Sequence, residues 1–159
     1  MIRWVLACEV TIPGPPVAKG RPRFARTGHG VRTYTAKPTL QYERLVAQCF
    51  VFCPALKGVQ QPIAPKGTPV RVDVVAYFPR PQRLYRKSDP ASAIPHAVKP
   101  DLDNVIKSLI DGISQSGKVW ADDGQVQCIR AESWHHEKDG KPRTRVAVYL
   151  PSDSYHGYA

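Results

Sequence analysis

Five aspartates fall between positions 101 and 123 of a chain that is basic elsewhere. Asp101 and Asp103 are two residues apart, and Asp122 and Asp123 form a second pair in a predicted turn after an apolar segment. Phosphodiester hydrolysis requires an activated water and neutralisation of charge on the phosphoryl oxygens, and Mg²⁺ held by carboxylates supplies both. On a helix, Lys107 would lie close to Asp103 and could stabilise a phosphate oxygen. These residues are therefore compatible with metal-assisted phosphodiester hydrolysis.

The same residues also allow a structural interpretation. Aspartate is common in the first turn of a helix, where it caps free backbone N–H groups. Lys107 would then form an ordinary ion pair with Asp103 or with Asp111, four residues away on either side. The spacing alone leaves the catalytic and the structural interpretations open.

The charge of the chain favours a polyanionic partner. Lysine and arginine outnumber aspartate and glutamate by 23 to 13, which gives a formal net charge of +10. Such a surplus attracts nucleic acid, although scattered charge also serves solubility. An acidic cluster beside bound DNA would oppose binding unless a cation intervened. The combination of a basic chain and an acidic cluster thus supports a metal-dependent interaction with nucleic acid.

Two loop-like segments concentrate the basic residues. The segment 17–35 alternates basic residues with glycine and proline, a form suited to following a phosphate backbone, and the proline-rich segment 79–100 leads into the acidic cluster. Phe24 and Tyr34 would either stack on unpaired bases or pack their loop onto the body. The predicted DNA contacts are Lys19, Arg21, Arg23, Arg26, Arg32, Arg83, Arg86, Lys87 and Lys99.

The elements that must position these residues follow from hydrophobic periodicity. Apolar residues recur at helical spacing over 101–114 and, after Pro38, over 39–53. Strands are predicted at 3–12, at 70–78 and in RTRVAVYL, which follows the Asp139–Gly140 turn; the region after Gly117 predicts a short strand, an acidic turn and a longer strand. Segment 17–35 is predicted as a loop or irregular hairpin, and 54–69 and 79–100 as irregular connections. The expected fold is α+β: a single domain over 1–159, with a mixed sheet of four to five strands and two main helices packed on it.

Several classes of protein are disfavoured. The four cysteines form no zinc-binding pattern, and Cys49 and Cys53 are expected to pack in the core. No leader-like segment opens the chain and no apolar run is long enough to span a bilayer, so a reducing, cytoplasmic setting without membrane contact is expected. Trp120 and Trp134 are expected in the core, and His96 is close in sequence to the acidic cluster.

The run KPDLDNVIKSLIDGI, followed by VWADDGQV, resembles the signature of the RusA family of Holliday junction resolvases. The upstream segments KGRPRF and QYERLVA also resemble members of this family, so the similarity spans most of the chain. It implies that Asp101, Asp103 and Asp123 are the metal-binding catalytic aspartates and that Lys107 is the catalytic lysine. Asp122 is the alternative third ligand.

The resemblance also implies a function. It predicts a homodimeric endodeoxyribonuclease, dependent on Mg²⁺ with Mn²⁺ as a substitute, that resolves four-way junctions by paired symmetric nicks during DNA recombination and repair. Members of the family are frequent in bacteria and in their phages and prophages. The sequence also allows two alternatives, namely a nuclease that cuts flaps or forks as readily, and a DNA-binding module without catalytic activity.

Overall fold

The computed structural model describes residues 1–152 of the chain. In this region the elements, in chain order, are β1 (Trp4–Pro13), β2 (Arg23–Thr27), β3 (Gly30–Tyr34), α1 (Lys37–Val51), β4 (Val70–Phe78), β5 (Ile94–Pro95), α2 (Leu102–Ser116), β6 (Val126–His135) and β7 (Arg143–Pro151). The fold class is α+β, as predicted, with one mixed five-stranded sheet, a separate two-stranded hairpin and two helices.

The main sheet has the strand order β1-β7-β4-β6-β5. β4 lies at its centre, antiparallel to β7 on one side and parallel to β6 on the other. The parallel pair requires a crossover connection, and α2 provides it. β6 and β7 follow each other in the chain but lie on opposite sides of β4. The turn at Asp139 and Gly140 therefore leads into β7, as predicted, without closing a hairpin between these two strands.

One hydrophobic core joins the sheet to both helices. Alternate residues of β4, from Val70 to Phe78, are buried and the residues between them are partly buried, as expected for a central strand. These side chains share a core with Val46 and Phe50 of α1 and with Leu109 of α2. The sheet thus provides the platform on which α2 is held.

The two helices approach each other closely at Gly112. A Cβ atom at this position would lie 2.7 Å from the Cβ of Val46 and 2.8 Å from the carbonyl oxygen of Glu43, so glycine permits the contact. α2 ends at Gly117, whose φ of 65° is the left-handed conformation typical of a helix C-terminus. Both predicted helices are confirmed, with boundaries within two residues of the expected ones.

Four details of the prediction were wrong. The short strand expected after Gly117 is a single bridge between Ala64 and Trp120. Segment 79–100 is more regular than expected, because it contains a 3₁₀ turn at Gln82–Leu84 and the edge strand β5, where a proline is tolerated. Segment 54–69 also begins with a 3₁₀ turn, at Pro54–Leu56. Trp134 is only partly buried, since its indole N–H donates to an exposed carboxylate of Glu132 (3.0 Å).

Other expectations hold. The five-residue strands β2 and β3 confirm a hairpin within 17–35. Trp120 and Cys53 are buried in the core, and Cys49 packs against it. No helix of the described region is both long and apolar enough to cross a membrane.

Candidate active site

Asp101 and Asp103 lie at the N-terminus of α2. Asp101 occupies the N-cap position with extended backbone angles, but its side chain makes no capping hydrogen bond. Asp103 lies in the first helical turn, where the positive end of the helix dipole favours a carboxylate. Both residues are exposed. The N-cap carboxylate is therefore not used for capping, contrary to what a purely structural role requires.

Lys107 lies next to Asp103 on the exposed side of α2. Its Nζ is 3.6 Å from Oδ2 of Asp103, and the two side chains are 63% and 69% exposed. An ion pair this exposed is screened by water and contributes little to stability. The ammonium group of Lys107 therefore remains accessible to an anionic ligand.

The two aspartates of the acidic turn before β6 differ in the hydrogen bonds that their side chains make. Oδ1 of Asp122 accepts a hydrogen bond from the backbone N–H of Gly124 (2.7 Å), and the side-chain oxygen of Gln125 accepts one from the N–H of Asp122 (3.0 Å). This reciprocal arrangement is a capping box. The carboxylate of Asp123 has no hydrogen-bond or ion-pair partner among residues 1–152. The turn thus uses Asp122 for structure and leaves Asp123 available.

Gln125 also fixes the acidic turn to the rest of the fold. Its amide nitrogen donates to the backbone carbonyls of Ala64, Pro65 and Thr68, at 3.2, 2.9 and 2.9 Å. The turn is therefore held against the segment that leads into β4. No pattern in the sequence distinguishes this glutamine, because its partners lie about 60 positions away.

The predicted metal ligands are not brought together within one chain. Asp101 and Asp103 lie at the start of α2, whereas Asp122 and Asp123 line a cavity with Asp111, which is about 12 Å further along the helix. Residues 1–152 contain no group of three His, Cys, Asp or Glu side chains placed to hold a metal ion. The donor set nevertheless fits a hard divalent cation, since exposed carboxylate oxygens are its preferred ligands.

A polar cavity of about 430 Å³ adjoins the acidic turn. Its walls include Lys19, Glu43, Asp111 and Gln115, together with Asp123. The Nζ of Lys19 lies 2.5 Å from both Oε1 of Glu43 and Oδ2 of Asp111. The side-chain nitrogen of Gln115 donates to the other oxygen of Glu43 (3.0 Å). These four side chains, here called the lysine cluster, join α1 and α2 to the segment before the hairpin.

The lysine cluster bears on the predicted DNA contacts. Burial alone would lower the pKa of Lys19, but the hydrogen bonds that Lys19 donates to Asp111 and Glu43 outweigh this effect and raise the pKa. Lys19 is therefore charged, and two carboxylates already compensate its charge. The DNA contact expected for Lys19 stays a prediction. The pairing of Lys19 with Glu43 and Asp111 does not favour that contact.

The other predicted DNA-binding residues are exposed. They fall into two groups, one at the β2–β3 hairpin and one on the loop between β4 and α2: Arg21, Arg23, Arg26 and Arg32, then Arg83, Arg86, Lys87 and Lys99. The guanidinium of Arg86 also pairs with Asp89, with Nε 3.4 Å from Oδ2. Both groups remain open to a phosphate backbone.

Arg80 has a role that sequence reasoning missed. It belongs to the second basic segment, yet it is buried, and its guanidinium donates to the carbonyls of Leu84, Pro90 and Ser92 at 2.8, 2.6 and 3.0 Å. One side chain thus closes the loop that carries Arg83, Arg86 and Lys87. Composition alone gives no sign that this arginine differs from its neighbours.

His96 lies near Asp101, as its position in the sequence suggested. Both residues line a second cavity of about 360 Å³, which also includes Lys99. The imidazole of His96 stacks on Phe78, with ring centroids 3.9 Å apart, and meets His135 edge-on. Burial, and then the nearby His135, lower the pKa of His96, so it is neutral at pH 7. Its packing accounts for its position without a catalytic role.

Comparison with known proteins shows the family to which the chain belongs. Residues 13–149 match the family described as "Endodeoxyribonuclease RusA". The chain is also 30% identical over 148 residues to YqaN, an uncharacterised protein of Bacillus subtilis (strain 168), and the match covers 88% of this chain and 94% of YqaN. The family match includes both helices, the β2–β3 hairpin, β4, β5, β6 and most of β7, and it begins at the last residue of β1. The chain belongs to the RusA family of endodeoxyribonucleases.

Proposed function

We propose that this protein resolves four-way DNA junctions by metal-assisted hydrolysis, making paired symmetric nicks. The proposal rests on the exposure and position of the carboxylates of Asp101 and Asp103. Both carboxylates are exposed at the positive end of α2, Asp101 is not used for capping, and Lys107 lies beside them. Within a family of endodeoxyribonucleases, this arrangement supports catalysis better than it supports a structural role.

The proposed site assigns one task to each residue. Asp101 and Asp103 hold Mg²⁺, or Mn²⁺ in its place, through carboxylate oxygens. The bound cation supplies charge neutralisation at the phosphate and a lowered pKa for an attacking water. Lys107 donates to a phosphate oxygen and stabilises the charge that develops there. The positive end of the α2 dipole attracts negative charge at this position.

The third metal ligand of each proposed active site comes from a second subunit. Asp123 is preferred to Asp122, whose carboxylate caps its own turn. Because residues 1–152 of one chain do not gather Asp101, Asp103 and Asp123 into a group that could hold a metal ion, a site with all three residues requires two chains in a two-fold arrangement. Each active site then combines the start of α2 from one subunit with the acidic turn of the other. The proposed homodimer has two such sites, which suits paired incisions.

Two alternatives differ in their predictions. A broader nuclease would cut flaps and forks as readily as junctions. A DNA-binding module without activity would use its aspartates only for structure. The uncapped Asp101 argues against this second alternative, as does Asp123, whose carboxylate has no partner within the described residues 1–152. We assign the activity to recombination and repair in the cytoplasm, as part of the same proposal.

The test compares substrates directly. The purified protein is incubated with a labelled mobile four-way junction, a linear duplex of the same sequence, a flap and a fork, each with Mg²⁺, Mn²⁺ or EDTA. The expected result is paired cuts confined to the junction, absent with EDTA. Equal cutting of flaps and forks would support the broader nuclease. Tight binding without any cutting would support the DNA-binding module.

A further inference from the structure

The β2–β3 hairpin extends from the protein with apolar side chains in solvent. Every residue of its two strands except Ala25 is exposed. Phe24 is 71% exposed, Val31 65% and Tyr34 48%. An isolated two-stranded hairpin is marginally stable in water, and clustered exposed apolar side chains mark binding sites. The hairpin therefore has the properties of an element that contacts a partner.

The strand register distributes the exposed side chains between two faces. Phe24 pairs with Thr33 and Arg26 pairs with Val31, so these four side chains share one face. Arg23 and Tyr34 lie opposite each other on the other face. Each face thus presents at least one large apolar side chain beside an arginine.

The charge of the hairpin identifies the kind of partner. No aspartate or glutamate occurs between Glu9 and Glu43. The arginines of the hairpin form no ion pair with any residue of 1–152, so their charges are uncompensated. Arginines interleaved with exposed aromatic rings suit a ligand that offers phosphates and flat bases together. Nucleic acid has this chemistry.

The base of the hairpin is fixed to the proposed active site. The backbone N–H of Lys19 donates to the carbonyl of Asn104 (2.8 Å), in the residue after Asp103. The N–H of Gly20 donates to the hydroxyl of Thr39 on α1 (3.0 Å). The hydroxyl of Ser108 on α2 donates to the carbonyl of Val17. A contact made by the hairpin is therefore held at a fixed position relative to the start of α2.

We propose, on the basis of the function proposed above, that Phe24 stacks on a base at the branch point of the DNA and so recognises the branch. Bases inside a duplex are stacked on both sides, whereas a base at a branch point loses one stacking neighbour and costs less to expose. An aromatic ring can replace that neighbour only at the branch. The hairpin arginines contact phosphates and act equally on branched and linear DNA.

The test compares Phe24→Ala with Phe52→Ala. Phe52 is 81% exposed at the end of α1, away from the hairpin, and so controls for the loss of an exposed aromatic side chain. Binding to a four-way junction and to a linear duplex of the same sequence is measured in EDTA, which prevents cutting. Phe24→Ala should weaken junction binding at least about fivefold, the lower end of the effect of one aromatic–base stack, and leave duplex binding unchanged. Phe52→Ala should change neither.

Three further measurements extend the test. With 2-aminopurine at the branch point, the unsubstituted protein should change the fluorescence of the probe and Phe24→Ala should not. Arg26→Ala should weaken binding to both DNAs by the same factor, because its contact is to phosphate. Sedimentation velocity should show that Phe24→Ala has the same oligomeric state as the unsubstituted protein.

Each contrary outcome has a definite meaning. Equal loss on both DNAs, or no loss on either, overturns branch recognition by Phe24. A change of oligomeric state in Phe24→Ala assigns this surface to a second copy of the chain instead, and also overturns the proposal. If the unsubstituted protein does not distinguish junction from duplex, the proposed function fails as well. If it cuts junctions selectively and Phe24→Ala cuts them equally well, this inference alone fails.

Discussion

The ammonium nitrogen of Lys19 lies 2.5 Å from a carboxylate oxygen of Asp111, although the two residues are 92 positions apart in the chain. The same nitrogen contacts buried Glu43 on α1. Through this pair of contacts, the segment that leads into the β2–β3 hairpin is joined to both helices. The lysine cluster therefore contributes to the geometry of the proposed DNA-binding surface even though two carboxylates compensate the charge of Lys19.

Replacing Lys19 by methionine should destabilise the protein, because it leaves the buried carboxylate of Glu43 without its cation. The expected loss in the free energy of unfolding is about 2 kcal/mol, reduced from that of a fully buried pair because Lys19 and Asp111 are partly exposed. Urea denaturation at pH 7 measures it. Lys107→Met is the matched control and should cost less than about 1 kcal/mol, since its ion pair is exposed. Equal losses in the two variants would contradict a structural role for the cluster.

The lysine cluster also shows a limit of sequence reasoning. Lys19 was predicted as a DNA contact because it alternates with Arg21 and Arg23 in a basic segment. Its partners come from two helices that the sequence predicts separately, and local pattern does not reveal how those helices pack. Arg80 was missed for the same reason, because its acceptors are backbone carbonyls of a folded loop.

Other elements were predictable because their signals are local. The apolar spacing in 101–114 determines the buried side of α2, and β4 has the β-branched composition of a central strand. The positions of Asp101 and Asp103 follow from the helix start alone. The position of Asp123 relative to these two residues could not be predicted in this way. It depends on the path of the connection from β4 through α2 to the parallel strand β6.

The two aspartates of the acidic turn should respond differently to substitution. Asp122→Ala removes the cap of the turn and should cost about 1 kcal/mol of stability. Asp123→Ala should change stability by less than about 0.5 kcal/mol but lower junction cleavage at least about a hundredfold, through loss of a metal ligand. Urea denaturation and single-turnover cleavage measure the two effects. The assignment is reversed if Asp122→Ala is the variant that keeps its stability and loses cleavage.

Mixing two inactive variants tests the composite site. Asp103→Asn and Asp123→Asn should each be inactive as homodimers. In a mixed dimer, one site receives both substitutions and the other receives neither, so the mixture should make single nicks at junctions. Nicking assays on a plasmid-borne junction, after the subunits have been exchanged, distinguish one cut from two. If all three residues of a site came from one chain, every site in the mixed dimer would be defective and no activity would return.

A pH effect is expected from Glu137 and Arg143. Hydrogen bonds from Arg143, and then a backbone hydrogen bond, lower the pKa of Glu137 to about 2 from an ordinary value of 4.5. Because the folded state binds the proton less tightly than the unfolded chain, this stabilisation is present above pH 4.5 and is lost as the pH falls towards 2. Allowing for partial exposure of the pair, it should amount to about 1 to 2 kcal/mol.

Urea denaturation of the unsubstituted protein and Glu137→Gln at pH 7, 4.5 and 3 measures this contribution. The difference in stability should be largest at pH 7 and should shrink at pH 3. A difference that stays constant over this range would show that the substitution acts through something other than the charge of Glu137.

The most direct test of catalysis by the carboxylates at the start of α2 is the Asp103→Asn variant, assayed for junction binding and junction cleavage in the same preparation. Asparagine preserves shape but removes the charge that holds a cation. The predicted result is binding equal to or tighter than that of the unsubstituted protein in EDTA, because one negative charge near the DNA is lost, with no cleavage in Mg²⁺. Undiminished cleavage by a correctly folded Asp103→Asn protein would contradict the assignment.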